Sequence, residues 1–148
     1  MQIKHLTRDD SLKFLEGHNL GRMACARDAQ PYVIPIFFVY QAPGIYCFSA
    51  EGRKIEWLRL NPQACLAVDD ITNAQQWTSV IVFGRYEELS SKDAETSMHD
   101  NAYNQLRGRH LWWEPSYVKT TLNPGLPGFE PIYFRLSVGE ITGRQGVP

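Results

Sequence analysis

Ile45-Tyr46-Cys47-Phe48-Ser49-Ala50, running on into Glu51-Gly52-Arg53-Lys54, is a strand pattern that breaks at a glycine and delivers two adjacent cations to the start of a helix. A helix start carries partial positive charge and unpaired backbone N–H groups, so Arg53 and Lys54 raise the local potential further and together ask for an anion. Ser49 adds a hydroxyl donor, and Gly52 lets the backbone approach a bound group. For a basic pair taken alone, two long side chains pointing into water is the ordinary reading. The segments on either side weigh against it.

Outward from this junction the chain reads as short strands with few helices. Thr7-Arg8-Asp9-Asp10 has the form of an N-cap followed three residues later by a carboxylate, and Leu6, Leu12 and Leu15 make an apolar stripe ending at Gly17. That pattern predicts a short opening helix. Residues 20–26 and 32–40 are β-formers separated by the turn Arg27-Asp28-Ala29-Gln30-Pro31, a hairpin, and residues 45–50 give a third strand. Ile55, Trp57, Leu58 and Leu60 keep a helical register that Asn61-Pro62 ends. Residues 64–68 and 79–83, the second running on to Tyr86, read as buried strands. Ser90 to Glu95 opens a further helix toward Leu106, residues 107–129 are irregular and rich in aromatics, Pro and Gly, and residues 132–138 alternate as a last strand reaching Ile141. About six strands with short helices between them predict a mainly β protein, an antiparallel barrel or sandwich rather than a doubly wound sheet.

With 148 residues, 43% of them hydrophobic and 21% charged, the chain suits one domain with a sizeable core over residues 1–148. A net charge of -1 without any Lys/Arg block removes the electrostatic footprint of a nucleic-acid binder. No apolar run approaches the roughly 18–20 residues of a membrane helix, and Met1-Gln2-Ile3-Lys4-His5-Leu6 lacks the apolar centre of a signal peptide. The expectation is a cytoplasmic protein with no membrane partner. Cys25, Cys47 and Cys65 are odd in number and lack C-x-x-C spacing, while His5, His18, His99 and His110 lack H-x-x-x-H spacing. Free, mostly buried thiols and no metal site are expected.

Three segments are distinctive together: Pro-Tyr-Val-Ile-Pro-Ile-Phe-Phe at 31–38, Phe-Ser-Ala-Glu-Gly-Arg-Lys at 48–54, and Gln-Trp-Thr-Ser-Val at 76–80 leading to Phe83-Gly84-Arg85. In order and spacing, from about Leu12 through Arg85, they resemble the pyridoxamine 5′-phosphate oxidase-like flavoproteins, in the small branch that includes nitroimidazole-resistance proteins of the Nim type. The resemblance implies an FMN-binding split barrel, a homodimer with FMN at the subunit interface, and the phosphate near Ser49, Arg53 and Lys54. Arg53 suits bidentate pairing and Lys54 a point charge. It further implies that Val33, Ile34, Pro35 and Ile36 lie beside the isoalloxazine ring. Pro35 cannot donate to a ladder, which fits an edge or cofactor-facing position. Trp77, Thr78 and Ser79 match the segment that closes over the ribityl chain and phosphate. Without the resemblance, residues 34–39 read as ordinary core and Trp77 as a large core or interface residue. Phe48 belongs with the cofactor-binding positions, but some Nim-type proteins carry there a histidine linked to their substrate chemistry. Its absence argues against nitroimidazole reduction.

Arg109, His110, Trp112 and Trp113 form an aromatic and basic cluster with two readings. One is a wall of the substrate pocket that reaches the flavin of the partner subunit, and the other is a hydrophobic patch that buries dimer surface. No Ser/His/Asp set, carboxylate pair or Cys/His nucleophile is legible, and a flavoenzyme requires none because the cofactor carries the electron chemistry. The function expected is a flavin-dependent oxidoreductase that takes electrons from NAD(P)H and passes them to a small planar acceptor, with Arg109 or His110 available to bind an acidic one. The alternatives are a flavin carrier or redox sensor without turnover, and a split barrel holding haem or a deazaflavin, for which His110 is the first candidate haem ligand. A vitamin-synthetic pyridoxamine phosphate oxidase is disfavoured, since the chain is short and lacks an identifiable C-terminal substrate-binding segment.

Overall fold

Thr7 caps the first helix as its sequence predicts. Its hydroxyl accepts the Asp10 N–H at 3.1 Å, Asp9 and Asp10 fill the first turn, and α1 (Arg8–Glu16) stops at Gly17. Ahead of it lies β1 (Gln2–Leu6), a strand that the sequence did not announce because four of its five residues are exposed and no alternation marks it. The computed structural model describes residues 1–89 and 132–148. The helix expected from Ser90 toward Leu106, the irregular stretch after it, and Arg109, His110, Trp112 and Trp113 lie outside the described residues.

β2 (Leu20–Arg27) and β3 (Gln30–Phe37) form the expected hairpin, joined by Asp28 and Ala29 at φ 50° and 63°. Two consecutive left-handed residues make the primed turn that matches strand twist. The single strand expected over residues 32–40 is instead two. The chain breaks at Phe38, whose N–H donates to the Asn19 carbonyl at 2.8 Å, and resumes as β4 (Val39–Gln41), which pairs with β5 (Gly44–Ser49). After α2 (Arg53–Leu60) come β6 (Gln63–Asn73), β7 (Gln76–Glu88) and β8 (Ile132–Val147), each longer than its apolar pattern indicates. The extra residues of β6, 69–73, are exposed, and those of β8 include the buried Gly143 and Gly146, so neither run carries an alternating apolar signature. Eight strands are thus described where about six were expected.

Every pairing is antiparallel, in the order β3-β2-β6-β7-β8-β5-β4, with β1 added to β8. The two ends of this order, β3 and β4, are consecutive in the chain across the wholly buried Phe38. The sheet is therefore pinned round on itself into an antiparallel barrel rather than left open. Inside, Leu15, Met23, Ile45, Ile55, Leu58, Leu66, Val68, Phe134 and Leu136 form one core. The helices each contribute one stripe to it. In α2, Ile55 and Leu58 face in while Arg53, Glu56 and Arg59 are exposed, a three-residue repeat that keeps three of its four charges on the outside, the fourth being the half-buried Lys54. No helix among the described residues is long and apolar enough to cross a membrane.

Candidate functional site

The α2 start is built as the sequence suggests. Gly52 occupies the N-cap position without a side-chain cap, the first-turn side chains Arg53 and Lys54 are cationic, and Glu56 is the acidic residue of that turn. Gly52 sits at φ 175°, extended backbone open to any residue, and nothing lies within 4 Å of where its Cβ would be. Neither backbone conformation nor packing demands a glycine there. The helix start faces a groove of about 510 Å³ lined by Glu51, Gly52, Arg53, Glu56, Arg59 and Leu60.

Arg53 makes no ion pair among the described residues; its guanidinium carbon lies 5.7 Å from the centre of the Tyr32 ring. Tyr32 in turn meets Trp57 of α2 with ring centres 5.5 Å apart. These contacts bring the first half of β3 beside the cationic helix start, so Val33, Ile34, Pro35 and Ile36 extend away from it along an edge of the strand order. Pro35 occupies such an edge strand, where its missing N–H costs little. Val33 and Pro35 are exposed, Ile34 is half-buried, and Ile36 is buried in the core. Lys54 is half-buried.

Ser49 and Phe48 differ from a simple ligand role. Ser49 is buried and its hydroxyl donates to the Ala50 carbonyl at 2.8 Å, so its proton shapes the loop rather than awaiting an anion. Phe48 is buried as well, its ring centre 6.1 Å from that of Tyr133. Trp77, Thr78 and Ser79 stand elsewhere. Trp77 pairs with Gly146 and Thr78 with Gln145, whereas Ser49 pairs with Ile132, so the two groups sit at opposite ends of β8. The Trp77 indole lies flat against Gly146, where a Cβ would come within 2.6 Å of Nε1. The Gln145 amide donates to the Thr78 hydroxyl at 3.4 Å. The structure brings β3 and α2 together and leaves Trp77, Thr78 and Ser79 apart from them.

Contacts that sequence reasoning missed surround the same helix. Arg59 donates from Nη1 to Glu51 at 2.8 Å, and from Nε and Nη2 to Glu88 at 3.0 and 2.8 Å; the Tyr86 hydroxyl donates to the same Glu88 oxygen at 2.8 Å. Hydrogen bonds to Glu88 and then Glu51 hold the Arg59 guanidinium still more firmly in its charged form. The only prior hint was the placement of Arg59 three and six residues after Glu56 and Arg53, which puts it near their face.

The three cysteines are free, with Cys25 and Cys47 buried and Cys65 half-buried. Among the described residues no three His, Cys, Asp or Glu side chains gather as a metal site. Burial raises the Cys47 thiol well above its ordinary value of 9.0, against opposition from Lys54; burial and then Cys65 raise Cys25. Burial, then the hydrogen bond to Glu88, raises the Tyr86 phenol. Above the ordinary thiol value the unfolded chain releases protons that the native protein keeps, so stability falls as pH rises. Urea unfolding compared between pH ~8 and ~10 checks this: the midpoint drops at the higher pH, and a flat profile would count against it.

The fold is an antiparallel split barrel with the cationic start of α2 beside the β3 edge. The chain belongs to the pyridoxamine 5′-phosphate oxidase family, whose sequence model matches residues 7–145. It is 33% identical over 144 residues to an uncharacterized protein of Rhizobium meliloti, covering 97% of this chain and 95% of that one. Among solved structures, an FAD-binding protein from Mesorhizobium loti is 34% identical with a TM-score of 0.83, over 100% of this chain and 99% of that one. A structure from Bacteroides thetaiotaomicron named for 5-nitroimidazole antibiotic resistance shares the fold, with a TM-score of 0.66 and 18% identity over 98% and 89% of the two chains.

Proposed function

We propose that the protein binds a flavin nucleotide, FMN in its simplest form, with the 5′-phosphate at the α2 start and the ring along β3, and acts as a flavin-dependent oxidoreductase. The observation that carries this reading is Arg53: a cation in the first turn of a helix without a side-chain cap, with no ion pair among the described residues, at the mouth of a groove. Gly52, for which the protein itself supplies no reason, permits close approach of a phosphate to the helix N–H groups. The 34%-identical Mesorhizobium relative, named as FAD-binding, supports a flavin. When bound, a flavin supplies hydride and single-electron transfer; the electrons come from NAD(P)H and pass to a small planar acceptor. The chain's own part is to hold the phosphate through Arg53 and Lys54, and to offer the β3 edge to the ring.

The working unit is a homodimer. In-register outward residues Val33, Ala24, Cys65 and Phe83 form an apolar row across β3, β2, β6 and β7, beside a second row of Pro35, Arg22, Ala67 and Ile81 in which Arg22 alone is charged. Val33 is 62% exposed and Phe83 48%, a large apolar surface for a sheet face left in water. A second copy on this face would bring Trp77, Thr78 and Ser79 to the ribityl chain from the partner, which one protomer alone leaves distant.

The test is the visible absorption spectrum of the purified protein, with heat release and mass identification of the chromophore. Flavin bands with an FMN mass are expected. An FAD mass keeps the flavin and changes the nucleotide, whereas a colourless protein that takes up no added flavin, or a haem spectrum, overturns the proposal.

A further inference from the structure

We propose that Arg59 is a positioning residue of the anion site: it clasps Glu51 and so keeps the Glu51 carboxylate off Arg53, an inference that rests on the flavin-phosphate reading above. Glu51 lies two residues before Arg53 and lines the same groove. Left to turn, it is a candidate counter-ion for Arg53, and a carboxylate on Arg53 competes with a phosphate for the same guanidinium edge.

The clasp is tied to the barrel wall. Arg59 spans two carboxylates, Glu51 at 2.8 Å on one side and Glu88 at 2.8 and 3.0 Å on the other. Glu88 accepts the hydroxyl of Tyr86, which is buried with its ring centre 5.1 Å from that of Phe134 in the core. A lone surface ion pair holds its side chains weakly, but a multidentate network with one buried anchor fixes geometry. Glu56, the other carboxylate lining the groove, is likewise drawn to a different cation, with Arg27 at 3.9 Å. Both acids that share the groove with Arg53 are thus engaged elsewhere, and Arg53 is left over the Tyr32 ring with no ion pair among the described residues.

The test compares affinities for FMN and for riboflavin, which lacks the phosphate, by fluorescence titration of the full chain. In R59A, FMN binding weakens by roughly tenfold as Glu51 swings to Arg53, while riboflavin binding is unchanged. Adding E51Q to R59A restores FMN affinity to within about twofold of wild type. E88A, which removes the clasp's other anchor and leaves the Arg59 charge in place, weakens FMN binding in the same direction and is also rescued by E51Q, which keeps the test decisive should R59A fold poorly. A loss that E51Q does not rescue, a loss shared equally by riboflavin, or no loss at all overturns the clasp and leaves the flavin reading standing. A wild-type protein that binds neither FMN nor riboflavin overturns both.

Discussion

Replacing Arg53 and Lys54 together with alanine abolishes retention of the flavin nucleotide and leaves the protein folded. Each charge-assisted contact to a phosphate contributes roughly 1.5–3 kcal/mol, so losing two weakens binding by about two to four orders of magnitude. The folded state responds differently. Arg53 is exposed, and two positive charges at a helix start oppose the macrodipole, so their removal relieves repulsion of about 0.3–1 kcal/mol each. Loss of the Arg53 contact with Tyr32 offsets part of that, at about 0.5–1 kcal/mol. The apoprotein should therefore unfold within about 1 kcal/mol of wild type while the holoprotein no longer forms. Flavin stoichiometry after gel filtration, set beside thermal unfolding of both apoproteins, measures the two effects separately. Unchanged stoichiometry would remove the phosphate from the α2 start.

Phe134→Ala lowers the unfolding free energy by about 3–5 kcal/mol, a large share of the ~5–15 kcal/mol that keeps a domain folded. Phe134 is wholly buried on β8, opposite Cys47 of β5 and Glu88 of β7, against the Tyr86 ring. Alanine leaves a void where two strands and a ring meet, and dense surroundings relax only partly to fill it. Phe134→Leu refills most of that space and should cost less than half as much. Urea unfolding of the three proteins gives the order directly. Equal midpoints for wild type and the alanine variant would mean that this part of the core is not packed as described.

The sequence made the junction at Gly52 legible because three local signals coincide there: a β-forming run, a glycine and a pair of cations. Thr7, the β2–β3 turn and the Asn61-Pro62 stop were legible for the same reason, each being a contact between near neighbours in the chain. What escaped was long-range or unmarked by hydrophobic alternation. β1 is almost wholly exposed, and the ends of β6, β7 and β8 are polar or glycine-rich, so only strand pairing reveals them. The break at Phe38 is invisible in an unbroken run of apolar residues, because what changes there is the pairing partner and not the side-chain type. The Arg59 network joins residues 8 and 29 apart across a helix, a loop and a strand, beyond any periodicity. Trp77, Thr78 and Ser79 are distinctive as sequence, yet their separation from the α2 start follows from the register of β8.

That register also orders the protein's birth. β8 pairs with β1, β5 and β7, and it follows all three in the chain, so each waits with an unpaired edge until the last of them to be translated arrives. Hairpins such as β2–β3 and β6–β7 can zip early, but the barrel cannot close while β8 is still in the ribosome. The nascent chain therefore passes through a stage with several exposed strand edges and an open core. Conditions that delay the emergence of β8 should channel the chain toward aggregation and chaperones.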